Sequence, residues 1–310
     1  MRIDLERDDE GKRLDKLLCA KVPGLGRAAV KRLFAQGRVR VSTEHGGRRR
    51  AAKGDVAVAG WVVELDVELG DAGAIADPEA PLTVVLETPR MLVLDKPAGQ
   101  PTAPLEPGEK GALANALVAR YPEVRSCGFS PREPGLCHRL DTDTSGLVLA
   151  ARDLEAFNTL STALKEGRLD KRYRLIVKSE NLPEEGTIDI PLAPHPKDRR
   201  RVLPCLHPRD VQRYSPRPAS TSYQKISEKD GFALVEARAP KALRHQIRAH
   251  FAAIDHPLVG DVLYGGDASV GITRQALHAS RITWGGDAVV PAFDLVSPLP
   301  ADLARLVGAE

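Results

Sequence analysis

Two short stretches concentrate the side chains able to do chemistry. The first, His138 to Leu149, reads H-R-L-D-T-D-T-S-G-L-V-L. It sets Asp141 in a polar loop ending at a glycine, next to Arg139 and several hydroxyl residues, and the apolar run Leu147–Leu149 follows at once. A carboxylate at the mouth of a strand is how a sheet offers an acid to a cleft. Most such aspartates do no more than close a turn through a side-chain oxygen, so the loop needs support from elsewhere in the chain.

The second stretch, Leu243 to Gly265, reads L-R-H-Q-I-R-A-H-F-A-A-I-D-H-P-L-V-G-D-V-L-Y-G. Leu243, Ile247, Phe251 and Ile254 fall on one helical stripe. Arg244 and Arg248 then lie one turn apart, where like charges repel. An anion opposite them, a buried carboxylate or a ligand phosphate, would relieve that repulsion; two solvated surface arginines are the plain alternative. His245, His250 and His256 do not make a metal site, because a five-residue step turns a helix past any shared ligand face.

Two other readings of the first stretch are weaker, the phosphatase one remaining a rival that magnesium-dependent phosphate release would test. Asp141, Asp143, Ser145 and Gly146 imitate the start of a calcium loop, but its twelfth position is Arg152 rather than glutamate. A D-x-D phosphatase loop with Asp141 as nucleophile should follow a buried strand, whereas His138 and Arg139 precede the acid.

The elements that would position these residues can be read around them. Lys171–Lys178 alternates, with Tyr173, Leu175 and Val177 on one face and Arg172, Arg174 and Ile176 on the other. Strands are also expected over Leu82–Glu87, Met91–Asp95, Ala219–Ile226 and Phe232–Ala237. Helices are expected over Ala112–Arg120 and after Asp153, with Leu154, Phe157, Leu160 and Leu164 inward and Gly167 as the stop. Residues 181–218, proline-rich and carrying Arg199–Arg201, read as an irregular excursion. Strands without a βαβ rhythm imply an α+β domain built on a mixed, mainly antiparallel sheet with flanking helices.

The 310-residue chain has room for a second, smaller domain. Residues 1–65 hold 15 Lys/Arg against 9 Asp/Glu, and residues 66–80 hold five acids and no base. A basic module joined through an acidic linker to a larger body suits a polyanion partner. Within it, helices are expected over Arg13–Val22 and Arg27–Gln36, the second with Val30, Leu33 and Phe34 inward and Lys31 and Arg32 outward. The strand R-V-R-V follows, then Arg48–Arg50. The expected divisions are 1–65, 66–80 and 81–310. Four cysteines without paired spacing fit a reduced compartment. The start, M-R-I-D-L-E-R-D-D-E, is too polar for a secretory leader, and no run of about twenty apolar residues marks a membrane span. A soluble, cytoplasmic protein is expected.

Taken together, the first stretch resembles the signature of the RluA family of pseudouridine synthases. Residues 91–99 (M-L-V-L-D-K-P-A-G) resemble that family's first motif, with Asp95 where asparagine is usual. Lys171 and Tyr173 match its K-x-Y strand. H-Q-I-R at 245–248 with H-P-L-V-G-D-V-L-Y-G at 256–265 matches its third motif, and Leu277-His278-Ala279 a late structural one. The resemblance covers about residues 88–280. The chain departs from it at Lys241-Ala242-Leu243-Arg244, where the family has T-G-R-T; Arg244 is a candidate to stand in for the lost arginine. Residues 11–65 resemble an S-four type RNA-binding module, with Gly26 where serine usually caps the second helix.

The resemblance implies isomerisation of uridine to pseudouridine in structured RNA, ribosomal before transfer RNA, on a flipped-out base and without cofactor or metal. It implies Asp141 as the essential catalyst, either attacking covalently or removing a sugar proton. It gives Arg248 as its ion-pair partner and Tyr173 as the residue stacking on the base. Arg139 would help extrude the nucleotide, Lys171 would support the pocket, and Arg27, Lys31 and Arg244 would contact RNA. A monomer is expected. The competing reading is an RNA-binding protein that keeps the synthase fold with impaired catalysis.

Overall fold

A computed structural model describes residues 1–22, 27–43, 47–66, 73–268 and 271–308. The chain folds as two compact units. One comprises Met1–Ile75 with Leu105–Glu109 and Ser130–Arg132, and the other comprises the remainder.

In the first unit, strand β1 (Arg2–Asp4) precedes helices α1 (Leu14–Lys21) and α2 (Arg27–Ala35), followed by β2 (Val39–Ser42), β3 (Arg48–Arg50) and β4 (Val62–Leu65). The strands pair antiparallel in the order β1-β4-β2-β3. Leu14, Leu17 and Leu18 of α1 and Val30 and Leu33 of α2 pack on Val39, Val41 and Val63. Alternation turns Arg40 of β2 outward, and all three arginines of the edge strand β3, Arg48–Arg50, are exposed. Arg27 opens α2 and Lys31 is exposed, while the side chains of Arg27 and Arg32 and the cap at Gly26 lie outside the described residues.

The second unit begins with β5 (Thr83–Glu87) and β6 (Met91–Lys96), then α3 (Leu113–Arg120), β7 (Ser145–Ala151), α4 (Leu154–Glu166) and β8 (Asp170–Lys178). It continues with β9 (Glu185–Asp189), β10 (Leu192–Pro194), β11 (Val202–Pro204), α5 (Pro208–Tyr214), β12 (Ser220–Lys229) and β13 (Phe232–Arg238). It ends with α6 (Gln246–Ala253), β14 (Leu277–Trp284), β15 (Phe293–Val296) and α7 (Ala301–Val307). Among the described residues one nine-stranded sheet runs β5-β6-β7-β14-β8-β13-β12-β9, with β15 paired to β14. The β7–β14 pair is parallel and the others are antiparallel. The sheet is therefore mixed and mainly antiparallel with helices attached, an α+β fold.

Two local devices fix the centre of this sheet. Gly146, at φ +112°, opposes Ala279 across the parallel pair, where a Cβ would stand 2.3 Å from the Ala279 carbonyl oxygen. Only glycine lets these backbones approach. Asp153 accepts from the amide of Ala156 (2.9 Å) and caps α4, which packs Phe157, Leu160 and Leu164 against Leu147 and Leu149.

Two expectations need correcting. Residues 181–218 are not an irregular excursion. β9 pairs with β12 at the sheet edge, β10 and β11 form a separate two-stranded ladder, and α5 follows. Proline is tolerated there because the strands are short and peripheral. The helix expected from Leu243 starts three residues later. His245 adopts a left-handed conformation (φ 54°), and the Gln246 side chain accepts from the Leu243 amide (2.9 Å). A helix cannot run through a left-handed residue, so Arg244 and Arg248 do not share a helical face.

Candidate active site

Asp141 lies four residues before β7, in a loop whose backbone is held from outside. The carbonyl of Leu140 accepts from the Thr102 hydroxyl (2.7 Å), that of Thr142 from the Lys96 ammonium (2.8 Å), and that of Asp143 from Arg274 (3.1 Å). Lys96 is fully buried, and its two other bonds go to the carbonyls of Pro97 (2.9 Å) and Gln100 (2.8 Å). Burial lowers its pKa to about 8, against the opposing charges of Asp143 and Asp141. Arg274 is itself anchored on Asp302 (2.7 and 3.1 Å). Three buried donors thus satisfy the carbonyls of Leu140, Thr142 and Asp143 on either side of Asp141, which leaves little freedom to its Cα.

Arg248, projecting from α6, meets the carboxylate. Its Nη1 donates to Asp141 Oδ2 at 2.8 Å. Its other edge is committed to Asp261, with Nε to Oδ2 at 2.6 Å and Nη2 to Oδ1 at 2.8 Å. The two-pronged bond to Asp261 orients the planar guanidinium and aims Nη1 at Asp141. Burial disfavours the Arg248 cation, but Asp261 and Asp141 outweigh it and hold the guanidinium pKa above its ordinary value. Asp261 is sealed in, at 1% side-chain exposure, whereas Asp141 retains 26%. One acid serves the arginine and the other remains reachable. Sequence reasoning missed Asp261 as a partner, although it stands in the quoted H-P-L-V-G-D stretch; an acid thirteen residues after the arginine was the available signal.

Lys171 and Tyr173 project from the same buried face of β8. Burial raises the Tyr173 phenol pKa, and the nearby charge of Asp141 raises it further, so the ring stays neutral. Lys171 is drawn down to about 8 by burial alone. His138, beside it, is driven to about 3 by burial and by the Lys171 charge, and its Nε2 accepts the Leu149 amide (3.1 Å). The imidazole is therefore a neutral structural acceptor.

The remaining expected residues lie apart from this cluster. Arg139 is exposed and ion-paired with Glu133 (2.9 Å). Arg244 is also exposed. Its guanidinium donates to the carbonyls of Arg199 (2.9 Å) and Arg200 (2.7 Å), because the left-handed turn at His245 swings it away from the face of Arg248. His250 bonds Thr221 and Ile190, and His256 contacts the Lys178 carbonyl, so each has its own structural partner. Arg27 and Lys31 belong to the first unit. Among the described residues no helix is long and apolar enough to cross a membrane.

An accessible aspartate on a pinned loop, clamped by a buried arginine and faced by a neutral tyrosine, defines an acid-centred site on an α+β scaffold. Comparison with known proteins gives the class. The RNA pseudouridylate synthase profile matches residues 90–253. An uncharacterized RNA pseudouridine synthase of Chloroflexus aurantiacus is 35% identical over 94% of this chain and 87% of that protein. Ribosomal large subunit pseudouridine synthase D of Yersinia pestis is 30% identical over 96% of this chain and 91% of that protein. The fold is shared with human RNA pseudouridylate synthase domain containing 1, at TM-score 0.58 and 23% identity over 74% of this chain and 87% of that one. The chain belongs to the RNA pseudouridylate synthase family. It is an RNA pseudouridine synthase, an isomerase acting on RNA.

Proposed function

We propose that this enzyme isomerises specific uridines in structured ribosomal RNA, with Asp141 as the essential carboxylate, and that it works on a base flipped out of its stack without cofactor or metal. The reading of the substrate is supported by relatives named for the large ribosomal subunit, similar over more than nine-tenths of this chain. The observation that carries the site is the bond from Arg248 to Asp141. An ionised carboxylate in a partly desolvated cleft is costly unless a cation stands beside it, and Arg248 is a cation with no neutral form in reach.

In the reaction the bond from N1 to the ribose breaks, the uracil turns, and C5 takes the place of N1. The proton of C5 leaves to solvent, and N1 gains one. Asp141 either attacks covalently or removes a sugar proton; both roles need the ionised acid. Tyr173 stacks on the uracil, its high pKa keeping it uncharged against the ring. Lys171 lines the pocket, and Arg139, an exposed residue two positions before Asp141, assists extrusion.

Extrusion costs a few kcal/mol of lost stacking, which backbone contacts must offset. The basic first unit, an S-four type module over residues 1–65, supplies them through Arg27, Lys31 and its outward-facing strand arginines, and residues 66–80 act as the linker. The catalytic domain is assigned to 81–310.

Tritium release from ribosomal RNA labelled at uridine C5 tests the proposal. Wild-type protein is expected to release label, and Asp141→Asn none. Release by Asp141→Asn would end the assignment of Asp141. Absence of release by wild type from any cellular RNA would favour the RNA-binding protein with impaired catalysis. Mapping pseudouridines with and without the gene then decides between ribosomal and transfer RNA.

A further inference from the structure

A line of contacts runs from Asp141 to the strand that follows Arg199–Arg201, and the reaction as derived above does not use it. Tyr264 lies at its centre. The guanidinium carbons of Arg248 and Arg201 stand 5.2 and 5.4 Å from its ring centroid. Its hydroxyl oxygen accepts the Val202 amide at 2.9 Å. The hydroxyl proton is then free to go to the other close partner, His245 Nδ1, at 3.1 Å. That assignment puts the imidazole proton on Nε2. Nε2 faces Asp141 Oδ2 at 3.6 Å.

His245 thus approaches the same carboxylate oxygen as Arg248, and the two donors converge on Oδ2. Among the described residues no donor reaches Oδ1. Burial keeps the imidazole neutral, although Asp141 pulls the other way. A neutral imidazole of fixed tautomer is a directional donor, the usual job of a second residue behind a catalytic group. At 3.6 Å it is not a hydrogen bond as it stands; contacts of this kind commonly close only once substrate is engaged.

We propose that His245 is a positioning residue: its Nε2–H fixes Asp141 Oδ2 and leaves Oδ1 as the reacting oxygen, while Tyr264 sets the tautomer and ties the acid to strand β11. The left-handed backbone at His245 is what aims the ring, and this accounts for the late start of α6. The inference rests on the reading of Asp141 as the catalytic carboxylate.

Steady-state tritium release on full-length protein, well below the melting temperature, provides the test. His245→Asn keeps a polar group near the Nδ1 position and tolerates the left-handed backbone, but loses the donor toward Asp141. It should lower kcat about tenfold with the KM for RNA within about twofold. His245→Gln places an amide nitrogen near the Nε2 position and should recover most of that loss. Tyr264→Phe should lower kcat about threefold, and the double variant with His245→Asn should be no slower than His245→Asn alone. Unchanged kcat in His245→Asn, an equal loss in His245→Asn and His245→Gln, or an additive double variant would overturn the proposal. Asp141→Asn, assayed beside them, separates the two layers. Activity there removes the reading of Asp141 itself, whereas inactivity there with normal His245→Asn removes only the role given to His245.

Discussion

The Asp141 loop and the outer strands of the first unit use charge in opposite ways. Around Asp141 the charged groups are withdrawn from water and each is tied down: Arg248 to two acids, Lys96 to three carbonyls, Arg274 to Asp302 and the loop. On β2 and β3 the arginines are exposed, and the ion pairs they make, Arg48 with Glu64 and Arg49 with Asp55, are surface pairs, which contribute little. A buried charge that is fully partnered has its geometry fixed. A solvated charge is held loosely and attracts any polyanion at long range. Catalysis needs the first condition and capture of RNA the second, so substitutions in the two regions should separate turnover from affinity.

The largest effect is expected at the acid. Asp141→Asn should lower kcat by on the order of ten-thousand-fold, with the melting temperature nearly unchanged because the amide keeps the volume; tritium release and thermal melts check both. Asp261→Ala should instead attack the fold. It strips a buried guanidinium of its two-pronged partner, and urea denaturation should show a loss of about 3–5 kcal/mol.

The two buried lysines sharpen the contrast within the second unit. Both are lowered to about 8 by burial, yet Lys96 donates to the carbonyls of Pro97, Gln100 and Thr142, whereas among the described residues the Lys171 ammonium has no hydrogen-bond partner. Lys96→Met should destabilise by about 2–3 kcal/mol, since three carbonyls lose their donor. Lys171→Met should stabilise. A lysine that titrates near 8 when folded and near 10.5 when unfolded binds fewer protons in the folded state between those values, so wild-type stability rises with pH across that window. The advantage of Lys171→Met is therefore largest below about pH 8, on the order of 3 kcal/mol, and fades toward pH 10.5. Denaturation at pH 7 and pH 10 measures it, and turnover should fall in the same variant.

The smallest effect belongs to the first unit. Lys31→Ala with Arg40→Ala should weaken RNA binding and flatten the dependence of log affinity on log salt by up to about 2. At saturating RNA, kcat should not change. A change in kcat with intact affinity would contradict the division drawn here.

Much of this was legible in the chain. The alternation at Lys171–Lys178 placed Tyr173, Leu175 and Val177 on one face, and period-2 patterning is local, so no distant residue could alter it. The cap and stop of α4 at Asp153 and Gly167 were equally local. The motif at 138–149 singled out Asp141, and the resemblance paired it with Arg248 across 107 positions of chain. Periodicity misled at Leu243–Arg248, where an apolar stripe continued through a residue whose backbone turns left-handed. It also missed the short strands of residues 181–218, too brief and too rich in proline to declare a period.

The residue types and their spacing, unaided, determined an acid on a glycine-ended loop, an arginine on a helix, an aromatic on a strand, and a basic segment ahead of them all. Those are properties of neighbouring residues, and local sterics and side-chain chemistry fix them. Only the packed chain decided that Asp261 would take one edge of Arg248 and leave the other for Asp141, that Lys96, Thr102 and Arg274 would hold the loop, and that Arg244 would face outward. The first two of those choices satisfy buried donors and acceptors with partners far along the chain, and such partners exist only after the sheet has brought them together.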